Sequence, residues 1–507
     1  MNKRIAKNTL YLYLRMMFSM GVSLFTSRIV LATLGVEDFG IYDVVGGLVG
    51  IFSFLKASMS SASSRFLTFA LGKGDKEELK KTFSAALTIH FLIALVILVL
   101  AETAGLWFLE NKMAISPDRM NAARVVYQLS ILSVMATIVQ VPYNATIIAH
   151  ERMNIYAYIE ILYVFLKLGI VFLLVIGNFD KLILYATLML VVTCLITGIY
   201  RLYCIRQFKE CKYQYEWNKK VIYPMLTFSG WDTLGNGAVM GATQGVNMIL
   251  NLFFGTLINA ARGVAVIVNN ATVSLVRNFQ MAVTPQIIKL YAAGKMKELY
   301  SLIFDNTKFS FSLMWLLLLP ISLHLETILQ LWLSEVPEYT ALFCRLILIQ
   351  SLINCVQRPF VMTIHATGRM KVFQLSSGTV LLSVLPVSYF FLKAGGAPHI
   401  PFLVYIGASA LELSVELYLL KRWINLSFIS LFKKVFIPVL LVVACTLPVS
   451  VFVSYYLQIF VGYYLHFLLS VMFSVLSVCI SVYYIVLTKE TRIEVIRYVR
   501  NIFLKNK

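Results

Sequence analysis

The sequence predicts an all-α polytopic membrane protein of about 14 transmembrane helices. It arranges them as two parallel-repeat six-helix lobes around a central cavity, plus two appended helices. Three observations lead there. Of 507 residues, 59% are hydrophobic and only 13% charged, about half the charge share of a soluble domain. Long apolar runs recur along the chain, separated by short breaks whose basic charge alternates. A proline-bearing segment around residue 142 returns around residue 359.

The apolar runs fall at about 9–34, 39–69, 82–109, 122–149, 155–177, 182–204, 221–254, 260–289, 301–332, 340–366, 373–394, 401–422, 434–457 and 461–487. A spanning helix needs roughly 20 apolar residues. In lipid only a helix satisfies all its own backbone groups. The basic stretch Met1 to Lys7 precedes the first run with no small-residue cleavage site, so it reads as a retained first span rather than a signal peptide. A soluble enzyme, a disordered chain and a disulfide-stapled domain are excluded by composition. Seven cysteines, with no histidine close to Cys204 or Cys211, give neither a zinc site nor a disulfide framework. No Walker loop is present, and no cofactor is expected.

The net charge of +20 is unevenly distributed. Breaks at 1–8, 72–81, 149–154, 201–220, 289–300, 366–372, 421–434 and 488–507 carry 29 Lys and Arg; the intervening breaks carry five. The positive-inside rule puts both termini in the cytoplasm and makes the number of spans even. No break exceeds about twenty residues, whereas glycan polymerases and ligases need a sizeable extramembrane loop. Residues 1–204 form the expected N-lobe, 205–220 a cytoplasmic linker, 221–422 the C-lobe, and 423–507 the last two spans with a basic tail.

Val139 to Met153 matches Val356 to Met370 without a gap at eight of fifteen positions, including Pro142 on Pro359. A second register relates Met20-Gly21 to Met240-Gly241, Gly35 to Gly255, and Gly74, Glu78 to Gly294, Glu298. The halves are six spans apart, so they share one orientation, as in alternating-access transporters built from parallel repeats.

Ionisable groups inside spans are costly and mark functional sites by default. Span two carries Ser53, Lys56, Ser60 and Ser64 along one face, which ends near Arg65. Span seven has a polar stripe, Asp232, Asn236, Thr243, Asn247 and Asn251, beside a glycine stripe, Gly237, Gly241 and Gly245, suited to close packing. Span eight offers Asn259, Arg262, Asn269, Arg277 and Gln280. The repeat puts Lys56 and Arg277 at nearly equal depth, where two cations would suit a diphosphate; either could instead neutralise Asp232 or Asp43. Arg28 and Asp43 flank Gly35 at one level and suit a salt bridge as well as a ligand contact. Arg15 reads as a snorkelling cation. Glu160 and Lys167 share a face of span five. Glu412 sits mid-span, where a buried carboxylate serves proton coupling or is more commonly satisfied by interior partners; Glu416 lies one turn on and can reach toward Lys421 or Arg422. The six histidines are scattered without ligand spacing.

The opening Asn8-Thr9-Leu10, Arg28 and Leu34-Gly35-Val36-Glu37-Asp38-Phe39-Gly40-Ile41-Tyr42, then Val141-Pro142-Tyr143-Asn144 and Ala149-His150-Glu151-Arg152-Met153, resemble Wzx-type polysaccharide and O-antigen flippases. These belong to the multidrug/oligosaccharidyl-lipid/polysaccharide exporter (MOP) superfamily. The resemblance implies movement of undecaprenyl-diphosphate-linked oligosaccharide from the cytoplasmic to the periplasmic leaflet of a bacterial inner membrane, without covalent chemistry. An H⁺ or Na⁺ gradient, membrane lipids and other polysaccharide-assembly proteins are the implied partners; nucleic acid is not one. It assigns the cavity cations to Arg28, Lys56, Arg65, Arg262 and Arg277. A drug/cation antiporter of the same superfamily is the alternative, and a membrane glycan polymerase or ligase a further one.

Overall fold

The structure is a computed structural model that describes residues 3–50, 53–113, 115–174, 180–215, 217–333, 335–460, 462–487 and 492–493. Among them every regular element is helical. In chain order these are α1 (Lys3–Gly50), α2 (Ser53–Lys73), α3 (Lys76–Leu100), α4 (Leu106–Lys112), α5 (Pro117–Ala149), α6 (Met153–Leu173), α7 (Lys181–Gln207), α8 (Lys219–Phe254) and α9 (Thr256–Ala292). Then follow α10 (Met296–Leu323), α11 (Leu325–Trp332), α12 (Thr340–Thr367), α13 (Met370–Lys393), α14 (Ile400–Ile424), the single turn α15 (Phe428–Leu431), α16 (Ile437–Phe460) and α17 (Tyr463–Ser481). Among the described residues each of the fourteen apolar runs falls mainly on helix, and the all-α membrane fold class holds. Ten helices among the described residues are long and apolar enough to cross a membrane. Those ten do not include α1, α2, α8 and α9, the helices that carry most of the polar candidates.

The chain forms two compact units. One comprises Arg4–Asn236 with Tyr291–Gly294; the other comprises Gly237–Leu290 and Lys295–Lys507, with Met1–Lys3. We call them the N-terminal and C-terminal units. The division falls inside α8, because its first turns pack into the N-terminal unit: Ile222 and Met225 join Met59, Ala85, Ala86 and Ile89 in one buried cluster.

The sequence repeat is visible in the backbone. Gly35 kinks α1 with φ 80° and ψ 169°, a conformation open essentially to glycine alone; its counterpart Gly255 separates α8 from α9 with φ 78°. Gly74 and Gly294 turn with φ 78° and 69°. Pro142 and Pro359 lie inside α5 and α12. Just beyond, Glu151 has φ 58° where the repeat has Gly368 at φ 75°, and Arg152 and Arg369 start the next helices with φ/ψ of −85°/56° and −82°/57°. One backbone plan therefore serves both sequences.

In the N-terminal unit ion pairs join breaks that charge alternation puts in one set. Arg119 binds Asp38 at 2.8 Å through Nε and Asp180 at 2.7 Å through Nη1, joining three acid-bearing breaks. Partial burial pushes the Asp180 carboxyl up, but Arg119 and the backbone N–H groups of Leu182 and Ile183 outweigh it and hold it below its ordinary value. In the basic set, Arg4 pairs with Glu151 at 3.0 Å, and His150 with Glu210 at 2.6 Å while stacking on Phe208. Burial raises the Glu210 carboxyl and the His150 bond lowers it; the net shift is downward.

Candidate functional site

The N-terminal unit contains a cavity of about 360 Å³ between α1 and α6. Its α1 wall presents Arg15, Ser19 and Thr26, four and seven residues apart, and its α6 wall Glu160, Tyr163 and Lys167, three and four apart. These spacings put each trio on one helix face. Arg15 donates through Nη1 to the Tyr156 hydroxyl at 2.9 Å and lies over the Tyr156 ring. Glu160 accepts from the Tyr200 hydroxyl at 3.1 Å. The Lys167 ammonium sits 5.5 Å from the centre of the Tyr163 ring and makes no ion pair among the described residues. Lys56 of α2 is half-buried and within electrostatic reach of Glu160. The lining thus carries two cations and one carboxylate, with a third cation close by. Arg15 does not snorkel outwards; it turns to a tyrosine and faces the cavity.

The other candidates of this unit are placed differently. Arg65 is 9% exposed and caged by the rings of Phe66, Phe69 and Phe228, at 4.4, 4.7 and 5.9 Å. Asp232, 4% exposed, is joined to Asn236, whose amide also donates to Ser58 at 3.0 Å. This link fastens the middle of α8 to α2. The side chains of Arg28 and Asp43 lie outside the described residues.

In the C-terminal unit Arg262 donates to the Asn247 amide oxygen at 3.1 Å and to the Thr243 carbonyl at 2.9 Å. It ties α9 to α8. Of the glycine stripe, Gly245 packs closely, since a Cβ there would lie 2.4 Å from the Leu385 side chain of α13; at Gly241 it would make an ordinary contact with Leu382 at 3.6 Å, and at Gly237 it would meet nothing within 4 Å. Arg277 is exposed and makes no hydrogen bond or ion pair among the described residues, while Asn269 has a buried amide oxygen without a partner. Glu412 accepts a hydrogen bond from Ser377 of α13. Glu416 does not reach Lys421 or Arg422. It is 1% exposed, with Oε2 unpartnered, because its face of α14 points into the unit while the lysine lies at the exposed end. Tyr405, on the same face of α14, lies within electrostatic reach of both Glu412 and Arg262. No group of three or more potential metal ligands occurs among the described residues.

Arg15, Glu160 and Lys167 are not among the binding residues that the sequence predicts. The signal available was the pairing of two polar stripes at helical spacing; which helices would face each other was not.

Residues 5–285 match the family model described as polysaccharide biosynthesis protein. The chain belongs to that family. No curated protein matches it significantly. Among solved structures it is similar to an outward-facing MATE-family multidrug resistance transporter of the MOP superfamily, with TM-score 0.67, 15% identity, and coverage of 83% of this chain and 96% of that one. A MATE transporter of Vibrio cholerae in its bent form gives TM-score 0.67 at 15% identity, covering 86% and 100%. A MOP-superfamily transporter of Pyrococcus furiosus, described by the reverse polarity of its binding pocket, gives 0.65 at 15% identity, covering 84% and 96%. This member of the polysaccharide biosynthesis family therefore has the MOP-superfamily transporter fold.

Proposed function

We propose that the protein is a flippase for undecaprenyl-diphosphate-linked oligosaccharide, moving it from the cytoplasmic to the periplasmic leaflet for O-antigen, lipopolysaccharide or capsule assembly. It works by alternating access of two lobes, with fourteen spans and both termini cytoplasmic in a bacterial inner membrane. The observation that carries this reading is the cationic cavity between α1 and α6, in a family named for polysaccharide biosynthesis. Buried cations are costly and are kept where an anion compensates them. A diphosphate supplies that anion, and tyrosines beside the cations suit sugar rings. Lys56, Arg28, Arg65, Arg262 and Arg277 are the further cations proposed to meet the diphosphate during passage. Glu412, with Glu416, is proposed to take up the coupling ion, with Asp43, Asp232, Asn236, Asn247 and Asn269 as polar cavity lining. No catalysis is needed for any of this.

A drug/cation antiporter shares the fold, but a net positive lining repels an organic cation. The test is a deletion strain complemented in trans. Loss of the protein should pile up lipid-linked glycan on the cytoplasmic leaflet, and Arg15→Ala with Lys167→Ala should fail to clear it. If these variants, and Lys56→Ala with Arg277→Ala, export glycan at the wild-type rate, the reading is wrong. New glycosidic bonds formed by purified protein would establish a polymerase or ligase instead.

A further inference from the structure

We propose that the groove where α14 meets α15 binds an anionic phospholipid of the surrounding membrane, its phosphate at Lys421 and its upper acyl chain running towards Ser414. A cavity of about 410 Å³ opens there, lined by Ser414, Leu417, Tyr418, Lys421, Phe428 and Leu431 among others. It lies wholly within the C-terminal unit and apart from the cationic cavity between α1 and α6.

The local chain explains its shape. Asn425, with φ 55°, ends α14 in the left-handed conformation. The Ser427 hydroxyl then caps α15, accepting from the Ser430 N–H at 3.2 Å. The turn so formed lies beside the last turns of α14, with Leu431 fully buried and Phe428, Ile429 and Phe432 at 53%, 68% and 45% exposure. Exposed apolar side chains on a short turn next to Lys433 and Lys434 mark a segment lying in the membrane interface.

Charge selects the occupant. Between residues 421 and 434 the chain has Lys421, Arg422, Lys433 and Lys434 and no Asp or Glu, and all four cations are exposed. The Lys421 ammonium makes no ion pair or hydrogen bond among the described residues. Length fits as well. Seven residues of helix separate Ser414 from Lys421, about 10 Å at 1.5 Å per residue, the reach of a glycerol phosphate and the first methylenes of its chain. A cation at the mouth and apolar walls below suit a molecule with an anionic head and an apolar tail, and basic clefts between spans are known headgroup sites.

The experiment is thermal unfolding of the purified full-length protein in a neutral detergent, titrated with phosphatidylglycerol, phosphatidylcholine or sn-glycerol 3-phosphate. Phosphatidylglycerol should raise Tm saturably and the other two should not. Lys421→Gln should weaken the apparent affinity about tenfold, the loss of one charge-assisted contact at 1.4 kcal/mol per decade. Leu417→Trp should abolish saturation by filling the groove. Lys297→Glu, a reversal of an exposed cation at the start of α10, should leave it unchanged. Equal shifts from phosphatidylcholine, a matching shift from glycerol phosphate, or an effect of Lys297→Glu as large as that of Lys421→Gln would each overturn the proposal. Transport is not the readout, so failure here leaves the flippase reading untouched, and failure of that reading leaves this site standing.

Discussion

At Gly35 in the N-terminal unit and Gly255 in the C-terminal unit the backbone turns with φ near 80°, and at Pro142 and Pro359 matching helices carry a proline. The register that aligns the prolines also aligns Gln140 with Gln357. Gln140 accepts from Thr197 of α7 at 3.1 Å, and Gln357 donates to the Ser409 carbonyl of α14 at 3.1 Å. Each glutamine fastens its proline helix to the equivalent neighbour. The same register places Glu160 on Ser377. In the N-terminal unit the carboxylate is Glu160 and a tyrosine hydroxyl on α7 serves it. In the C-terminal unit the hydroxyl is Ser377, and it serves Glu412 on α14. The carboxylate–hydroxyl pairing persists with its partners exchanged. Around Glu160 the lining is net positive; around Glu412 a second carboxylate, Glu416, lies one turn away. Duplication kept the backbone, where left-handed glycines and prolines tolerate little change, and left side-chain charge free to diverge.

That contrast can be broken. The largest effect is expected from Arg15→Ala in the N-terminal unit. Removing a half-buried cation from its anion costs about 1.5–3 kcal/mol, so lipid-linked glycan transport in proteoliposomes should fall about 10–100-fold, whether or not an ion gradient is imposed. Glu412→Gln and Glu416→Gln should instead leave slow downhill transport and remove its acceleration by a proton or sodium gradient. If both sets of variants lose the same step, the two units do not divide the work as their charges suggest.

A smaller, symmetrical effect tests the shared backbone. A Cβ at Gly35 or Gly255 meets nothing within 4 Å, so alanine there costs only backbone strain, about 1–3 kcal/mol. Denaturation should show comparable losses at the two sites. A loss at one alone would mean that the turns are not equivalent.

The smallest effect concerns the clasp between Arg119, Asp38 and Asp180, for which the C-terminal unit has no equivalent in the repeat. The folded Asp180 carboxyl titrates below its unfolded value of about 3.9. Its contribution is therefore complete above that pH and is lost as pH falls through the lower folded value. Arg119→Ala should destabilise by about 1 kcal/mol at neutral pH. The difference from wild type should shrink on acidification; an unchanged difference at pH 3 would show that the carboxylate charge is irrelevant.

Much of the plan was legible along the chain. Leu- and Ile-rich runs of spanning length had to be helices, and the described residues of those runs are mainly helical. The glycine and proline matches announced repeated turns, and within the N-terminal unit Arg119 and Arg4 each pair with acids from breaks of their own charge class. The site was less legible. Arg15, judged by depth alone, looked like a cation reaching for the interface. Glu416, judged by sequence distance, looked like a partner for Lys421. Both judgements needed the neighbour that each helix face meets, which the stripe on a single helix does not reveal.

The sequence by itself determined helicity, the duplicated turns and the alternation of basic and acidic breaks, because burial of apolar runs and left-handed backbone conformations act on each segment locally. Only the tertiary structure decided that Arg15 and Lys167 line one cavity with Glu160, that Arg65 is enclosed by three rings, and that the first turns of α8 pack into the N-terminal unit. Those outcomes depend on which helix faces which, a choice made by side-chain packing between segments far apart in the chain.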